Sequence, residues 1–552
     1  MVDMITAEII RNALEYIAEE MGIVLRNSAF SPNIKERMDH SCAVFGPKGK
    51  LLAHAEHIPV HLGAMPLAIR ETIKVVKDFE EGDMIIMNDP YSCGTHLPDI
   101  TLIAPVFYRG ELVGFVANRA HHSDVGGKVP GSMPGDSVEI YEEGLIIPPM
   151  KIVKRGEIDR ELLRFILANV RTPRTRMGDI VAQISANRRG IQRVLKVVDK
   201  YGIGTYLKAI EAILSYSEKL AKIEISKMRR GESTAYDFLD DAGQHWDKPV
   251  KIHVKVTIAK DSITFDFSES DKQVPGSINA PRAVTISASY FVFKSIIGGE
   301  VPSNEGTYRP LEIITRRGTV VDAEPPAAVA GGNVETSQRI VDALFRALAK
   351  LVPERVPAAS QGTMNNIAFG GVDPKTGKRF AFYETIGGGF GGRMGKDGVD
   401  GVHCNMTNTM NTPIEEIERK YPIRILEYSL RPDSCGAGQW RGGLGIIRKY
   451  QALATMKVSL LGDRHRFPPW GLMGGKNGAP GEYILIRNGE EIRLPSKTTI
   501  IMHSGDILII KTPGGGGYGD PKLRDRRLIE EDILNEKITV EHAKKHYTID
   551  IQ

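Results

Sequence analysis

Apolar residues recur about every 3.6 positions from 6 to 26, where Ile9, Leu14, Ile17, Met21 and Val24 follow Thr6, and this spacing predicts an amphipathic helix packed on the first part of the chain. The period then changes. Residues 42–45, 84–88, 100–108 and 112–117 are short β-rich runs parted by Gly, Pro and Asp, which predict a mixed or antiparallel sheet. Helical spacing returns over 158–200 and 205–230, most regularly in TYLKAIEAILSYSEKLAKIEI, and a first boundary is placed near residue 235. Beyond it Ile252, Val254, Val256 and Ile258 alternate with polar residues, and a four-residue turn leads to Ile263, Phe265 and Phe267, the pattern of a β-hairpin.

Helices are predicted over about 281–297 and 335–351, the second after the Gly-Gly-Asn-Val-Glu-Thr start signal at 331–336. From about residue 421 the runs GIIRKYQAL, MKVSLLG, GEYILIR and DILIIK, broken by Gly and Pro, predict strands, with a short helical tail at 523–546. The expected fold is α+β and multi-domain, with mixed sheets, helices and a β-rich C-terminal part: an N-terminal α+β domain over 1–235, a central α/β region with glycine-rich loops over 236–420, and a β-rich region with a helical tail over 421–552. No fixed-period repeat is present.

Composition narrows the class. In 552 residues, 41% hydrophobic content supplies sizeable cores and excludes disorder as the main description. Lys plus Arg number 72 against 68 Asp plus Glu, a balance that leaves no nucleic-acid footprint. Four cysteines, Cys42, Cys93, Cys404 and Cys435, lie far apart without a CxxC, which argues against a disulfide framework or thiolate zinc site and for a reducing compartment. The first twenty residues carry acids within their apolar stretch and no small-residue cleavage site, and nowhere do 18 apolar residues run together, so a cytoplasmic protein without a membrane span is expected.

The densest set of candidate ligands lies between residues 88 and 127. His96 and Asp99 precede a strand pair and His121, His122 and Asp124 follow it, so a hairpin returns the second group beside the first. Imidazole and carboxylate together suit a divalent ion such as zinc, manganese or iron, with a position left for water. Polar turn residues are the competing description, and HxxD is a short motif. Upstream, Asp39 stands at a strand entrance, and His54, His57 and His61 either satisfy backbone groups in a Pro-containing loop or support a ligand set from behind.

Other chemistry finds less support. Gly387, Gly389 and Gly392 match GxGxxG, but the segment after them is too glycine-rich for the helix that would hold a pyrophosphate, and neither a Walker A motif nor a GxSxG elbow is present. These glycines and PGGGGYGDP at 513–521 read as close backbone packing or a loop near a ligand or another chain. Cys93 lacks the signature of an activated thiolate. Arg171, Arg174 and Arg176 form either an anion site or a solvated turn with its own ion pair.

Taken in order, HIPVHLGAMP, NDPYSCGTHLPDITLIAPVF, RAHHSDVGG, GDIVAQISANRRG, GGNVETSQRIVD and TPGGGGYGDP make the whole chain resemble the hydantoinase B/oxoprolinase family. The resemblance implies the B component of an ATP-dependent cyclic amide hydrolase, acting on 5-oxoproline, hydantoin or a related lactam, in a hetero-oligomer with an ATP-binding hydantoinase A-type subunit. It implies a divalent metal held by Asp39, His96, Asp99 and His121, with His121 and His122 both open as the histidine ligand. In this reading the partner phosphorylates the lactam carbonyl with ATP, a metal-bound water attacks the activated carbon, and His122 or Asp124 relays the proton. The same family includes subunits of ATP-dependent acetone and acetophenone carboxylases, and a scaffold that completes the partner's site is a third class.

Overall fold

The computed structural model describes residues 3–55, 57–92 and 94–547, so Cys93 lies outside the described residues. The Asp3 carboxylate accepts the Thr6 N–H at 2.8 Å and starts the first helix at Met4–Ser28, with Asp3 in place of Thr6 as its cap. Ala7, Ile10, Leu14, Ile17, Met21 and Leu25 form its buried face, whereas Ile9 is 48% exposed. Both Ile9 and Ile10 are apolar, and only the packing of Leu14 and Ile17 selects the second.

The first sheet contains β1 (His40–Phe45), β2 (Leu51–His54), β3 (Met84–Met87), β4 (Asp99–Tyr108), β5 (Glu111–His121), β6 (Met150–Lys154) and β7 (Glu157–Ile158), in the spatial order β2-β1-β5-β4-β3-β6-β7. All its pairings are antiparallel. Alternation sends Cys42, Val44, Leu102 and Ala104 to a core shared with helices Met4–Ser28 and Pro173–Tyr201, and Ala43, Phe45, Ile103 and Phe115 to one shared with helix Ala64–Val75. The helix expected over 158–200 is divided. Asp159 caps Arg160–Ala168, and a new helix begins at Pro173, whose missing N–H is harmless only in a first turn.

The expected hairpin is present, with Ile258 opposite Ile263 and residues 259–262 as the turn. Leu311–Ile314 extends it on one side in parallel, and Gly231–Leu239 flanks it on the other. The boundary expected near 235 therefore falls inside a strand. Its buried positions are Ser233, Ala235, Asp237 and Leu239, too polar or small to register as a hydrophobic alternation. Near 421 the outcome is similar: Asn366–Val372 pairs with Met456–Leu461, so one sheet draws strands from both sides of that point. A five-stranded sheet built from Ile423–Arg431, Gly445–Ala452, Ile507–Lys511, Glu482–Arg487 and Glu490–Leu494 gives the β-rich C-terminal part, and the tail is helical at Arg526–Leu534 and Val540–His546. The architecture is α+β. Among the described residues, no helix is long and apolar enough to cross a membrane.

Glycine-rich segments pack backbone against backbone beside this sheet. Gly389 N–H donates to Pro513 O at 3.1 Å, Gly515 to Gly443 O at 2.9 Å, Gly443 to Phe390 O at 2.8 Å and Gly436 to Gly515 O at 2.8 Å. A Cβ on Gly515 would stand 2.1 Å from Phe390 O, so a side chain is excluded by contact.

Helix Ser337–Leu348 lies against the second sheet and is preceded by one wide π turn, Gly332–Thr336. Within that turn Glu335 is fully buried, its Oε1 accepting Met364 N–H at 3.1 Å and Asn366 Nδ2–H at 2.9 Å. Burial first, and then the charge of Asp463, push its carboxyl up to about 8.

Two measurements test this packing. Gly515→Ala is expected to cost about 3 kcal/mol through backbone overlap, whereas Gly204→Ala, in helix Ile203–Ser226 with no atom within 4 Å of the added methyl, is expected to stabilise by about 0.5–1 kcal/mol. Calorimetric unfolding that ranks the two in the opposite order would refute the packing argument. For Glu335, a folded pKa of about 8 against an ordinary 4.5 means that the folded chain keeps a proton that the unfolded chain sheds, so its stabilising contribution is lost as pH rises across that interval. Buried Glu143, pushed up to about 7 by burial, acts mainly lower, and His40 and His122, held down to about 3 and 4 chiefly by burial, affect stability mainly below the usual histidine range. The unfolding temperature should therefore drop from pH 7 to pH 8, and Glu335→Gln should lessen that drop. An equal drop in both proteins would remove Glu335 as its source.

Candidate metal centre

The β4–β5 ladder begins with Asp99 opposite His121, which sets a carboxylate and an imidazole side by side on one face of the sheet. His96 lies in the turn just before β4, where its carbonyl accepts the Asp99 N–H at 3.1 Å and folds the turn back over the strand end. The three side chains converge. His96 Nε2 is 3.0 Å from Asp99 Oδ1 and 3.2 Å from His121 Nδ1, and His121 Nδ1 is 3.3 Å from the same carboxylate oxygen. Among the described residues they are the group of three or more His, Cys, Asp or Glu whose donor atoms close on one point.

The triangle has the size that one cation imposes. Donors about 2.0–2.1 Å from an ion lie about 3.3 Å apart in a tetrahedral shell and about 3.0 Å apart in an octahedral one. The protonation states also suit a ligand set. Burial opposes charge on Asp99, but the His96 and His61 rings outweigh it and hold the carboxyl well below the usual range, while burial pushes His121 down toward its neutral form. Asn333 Nδ2 stands 3.1 Å from His96 Nε2, so its amide borders the donor triangle. An ionised carboxylate oxygen and imidazole nitrogens within one small triangle are the donor types a divalent ion takes, so the residues fit the group.

Several neighbours fix these donors. Thr95 Oγ1–H donates to Asp99 Oδ2 at 2.5 Å, and His61 Nε2 lies 3.4 Å from that oxygen. The Tyr383 ring stacks on His121 with centroids 4.5 Å apart, and its hydroxyl donates to Asn366 Oδ1 at 2.7 Å. Asn333, Asn366 and Tyr383 come from segments more than two hundred residues downstream, and nothing in the sequence around Asn366 and Tyr383 marked them. The GGNVET motif was legible as a helix start and as part of the family resemblance, whereas the π turn within it is what aims Asn333 at His96.

The other candidates are placed differently. Asp39 flanks the centre through its backbone, whose carbonyl accepts the His121 N–H at 3.0 Å, but its carboxylate stands outside the three-donor group. His122 faces the opposite side of the strand end, where its Nε2 lies 2.9 Å from Gln183 Oε1. Asp124 accepts Arg171 N–H and NH1–H, each at 2.9 Å, and Gly126 N–H at 3.2 Å, which ties down a loop. Neither joins the cluster, because consecutive strand residues point apart and the chain leaves the sheet after His121. Arg171 is therefore consumed by an ion pair, as is Arg176 by Asp179 at 2.9 Å; the ion pairing expected of this segment is present, but Arg176 and Asp179 are buried in helix Pro173–Tyr201 instead of standing in a solvated turn. Of the upstream histidines, His61 reaches Asp99, while His57 stands 3.6 Å from Glu19.

Comparison with known proteins follows the same outline. The chain is 39% identical over 547 residues to 5-oxoprolinase 1 of Arabidopsis thaliana, a match covering 94% of this chain and 42% of that protein, so the chain spans about two fifths of it. A protein of Pseudomonas sp., named as the B-type component of a D-/L-hydantoinase, is 35% identical over 569 residues, covering 100% of this chain and 95% of that one. The crystal structure of an ATP-dependent caprolactamase from Pseudomonas jessenii superimposes with a TM-score of 0.93 at 29% identity, covering 100% of this chain and 97% of that chain. Residues 3–521 match the model of one family, and the chain belongs to it: hydantoinase B/oxoprolinase.

Proposed function

We propose that this chain is the B-type component of an ATP-dependent cyclic amide hydrolase, working with an ATP-binding A-type subunit. The observation that carries the reading is the buried triangle of His96, Asp99 and His121 in a chain that carries no nucleotide motif. An amide carbon resists attack by water. Phosphoryl transfer from ATP to the carbonyl oxygen, performed by the partner, leaves a carbon to which one water adds readily; the C–N bond then breaks as the ring nitrogen takes a proton, leaving an acyl phosphate, and a second water releases phosphate so that an amino acid remains.

A divalent ion of the zinc, manganese or iron type would be held by His96, Asp99 and His121, and would supply Lewis acidity and an acidified water. The chain's own residues set the stage. Asp99 stays ionised, with Thr95 and His61 on its second oxygen, and Tyr383 fixes the plane of His121. Asp39 supports His121 from the backbone, with its carboxylate in reserve as a fourth ligand, and proton handling by His122 or Asp124 would require movement of the strand end.

Metal analysis by mass spectrometry is expected to find about one transition ion per native chain and none in a still-folded His96→Ala/Asp99→Ala double variant. With an A-type partner, ATP and 5-oxoproline, hydantoin or caprolactam, His96→Ala should lower turnover by about 100-fold or more. Undiminished turnover by His96→Ala would end this reading, and consumption of a ketone with bicarbonate in place of lactam opening would make the chain part of a carboxylase.

A further inference from the structure

A cavity of about 530 Å³ lies between the C-terminal end of helix Arg282–Ile297, helix Ser337–Leu348 and the glycine-rich loop that follows Gly387. Phe291, Phe345 and Phe390 stand in its wall, and Asn405 lines it from within. Asn405 is 5% exposed, and among the described residues neither its Oδ1 nor its Nδ2 has a hydrogen-bond partner. A buried amide without partners is costly, so this one calls for a ligand to satisfy it. It is presented from a fixed backbone: Asn405 takes the left-handed region, φ 55°, which asparagine tolerates, and the carbonyl of Cys404 before it accepts Gln338 Nε2–H at 2.9 Å.

The mouth of the cavity is cationic. Arg393 and Lys396 exchange both backbone hydrogen bonds, each 3.0 Å, across the turn Met394-Gly395. Residues paired in this way send their side chains to one face, and two like charges set opposite each other are unfavourable until an anion lies between them. Among the described residues no carboxylate pairs with either. Arg355 adds a third cation, with Nη1–H on the Ile296 carbonyl at 2.8 Å. Of the two acids in the lining, Asp397 is neutralised by Arg524, which donates to both its oxygens at 2.8 Å, and Glu354 stands exposed at the margin.

An amide inside, aromatic rings in the wall and cations at the mouth match one ligand from end to end. The asparagine side chain offers a donor and an acceptor side by side, and adenine presents N7 and N6–H₂ in the complementary order. Aromatic rings take the flat face of a base, and Arg with Lys take phosphate. The volume is in the range that small ligands and cofactors occupy. We propose that this cavity binds an adenine nucleotide, with the base on Asn405 and the phosphates between Arg393 and Lys396. The phosphates lie at the rim, open to water, instead of on a helix N-terminus. The site therefore holds the nucleotide without transferring a phosphoryl group, and it is separate from the ATP site proposed for the A-type subunit.

Calorimetric titration of ADP into the purified full-length chain, with no partner and no lactam, reads this site. A Kd of about 100 μM or tighter is expected, with GDP weaker by about tenfold or more. Asn405→Asp keeps the shape and the backbone preference but removes the donor to N7, and should weaken ADP by about 10- to 100-fold. Arg393→Ala/Lys396→Ala, a change of two exposed side chains, should weaken ADP by about tenfold and leave adenosine binding unchanged. Absence of heat with ADP at about 1 mM overturns the proposal. GDP bound as tightly as ADP, or inorganic phosphate displacing ADP at an equal concentration, removes the base from Asn405 and overturns it as well. So does ADP affinity that is the same in the native chain and the double variant. Melting curves show which variants fold; if Asn405→Asp does not, the GDP comparison and the double variant decide.

Discussion

The register of one hairpin governs the candidate centre. Asp99 faces His121 because the β4–β5 ladder pairs them, and the next strand residue, His122, points to the other face. A slip of one residue would exchange the two histidines, bringing His122 to Asp99 and turning His121 toward Gln183. Register is therefore chemistry here. It is secured by ten paired positions from Asp99 to Tyr108 and by two more antiparallel strands, β1 and β3, one on each side of the hairpin.

Holding three inward lone pairs in a buried place is unfavourable in itself, and the fold answers with groups from remote parts of the chain. The second oxygen of Asp99 takes Thr95 and His61, His96 meets Asn333, and His121 lies under Tyr383. Because Asn333 and Tyr383 belong to the central part of the sequence, the N-terminal sheet alone does not build the site. Glu335 continues this polar chain inward, through Asn366, toward Asp463 and its cations Arg339 and Lys497. The centre is thus backed by buried charges as well as by an apolar core.

Local periodicity carried much of this. The first helix, the hairpin of residues 251–267, the helix Ile203–Ser226 and the pairing of His96 and Asp99 with a histidine beyond the strand pair were all legible, because each depends on neighbours in sequence. What escaped depends on distant partners. Ser233 and Asp237 occupy buried strand positions that no hydrophobic scale marks, and the pairing of Asn366–Val372 with Met456–Leu461 spans the point where a boundary was expected. Asp39 shows the limit from the other direction. Its motif was visible, but the hydrogen bond from the His121 N–H to its carbonyl forms only where the chain entering β1 meets the end of β5.

The glycine-rich segments have a consequence for how this protein can vary. Their composition is that of a loop, the kind of segment in which insertions and deletions usually collect. Yet Gly515 is bonded to two different neighbours, Gly443 and Gly436, and its α-carbon lies against Phe390. An inserted residue would move donors and acceptors out of step with several strands of chain at once, and no side chain is there to rearrange in compensation. Chain length in these stretches is accordingly as fixed as in the centre of a sheet, and descent with change must leave them their count of residues even where the surrounding surface drifts.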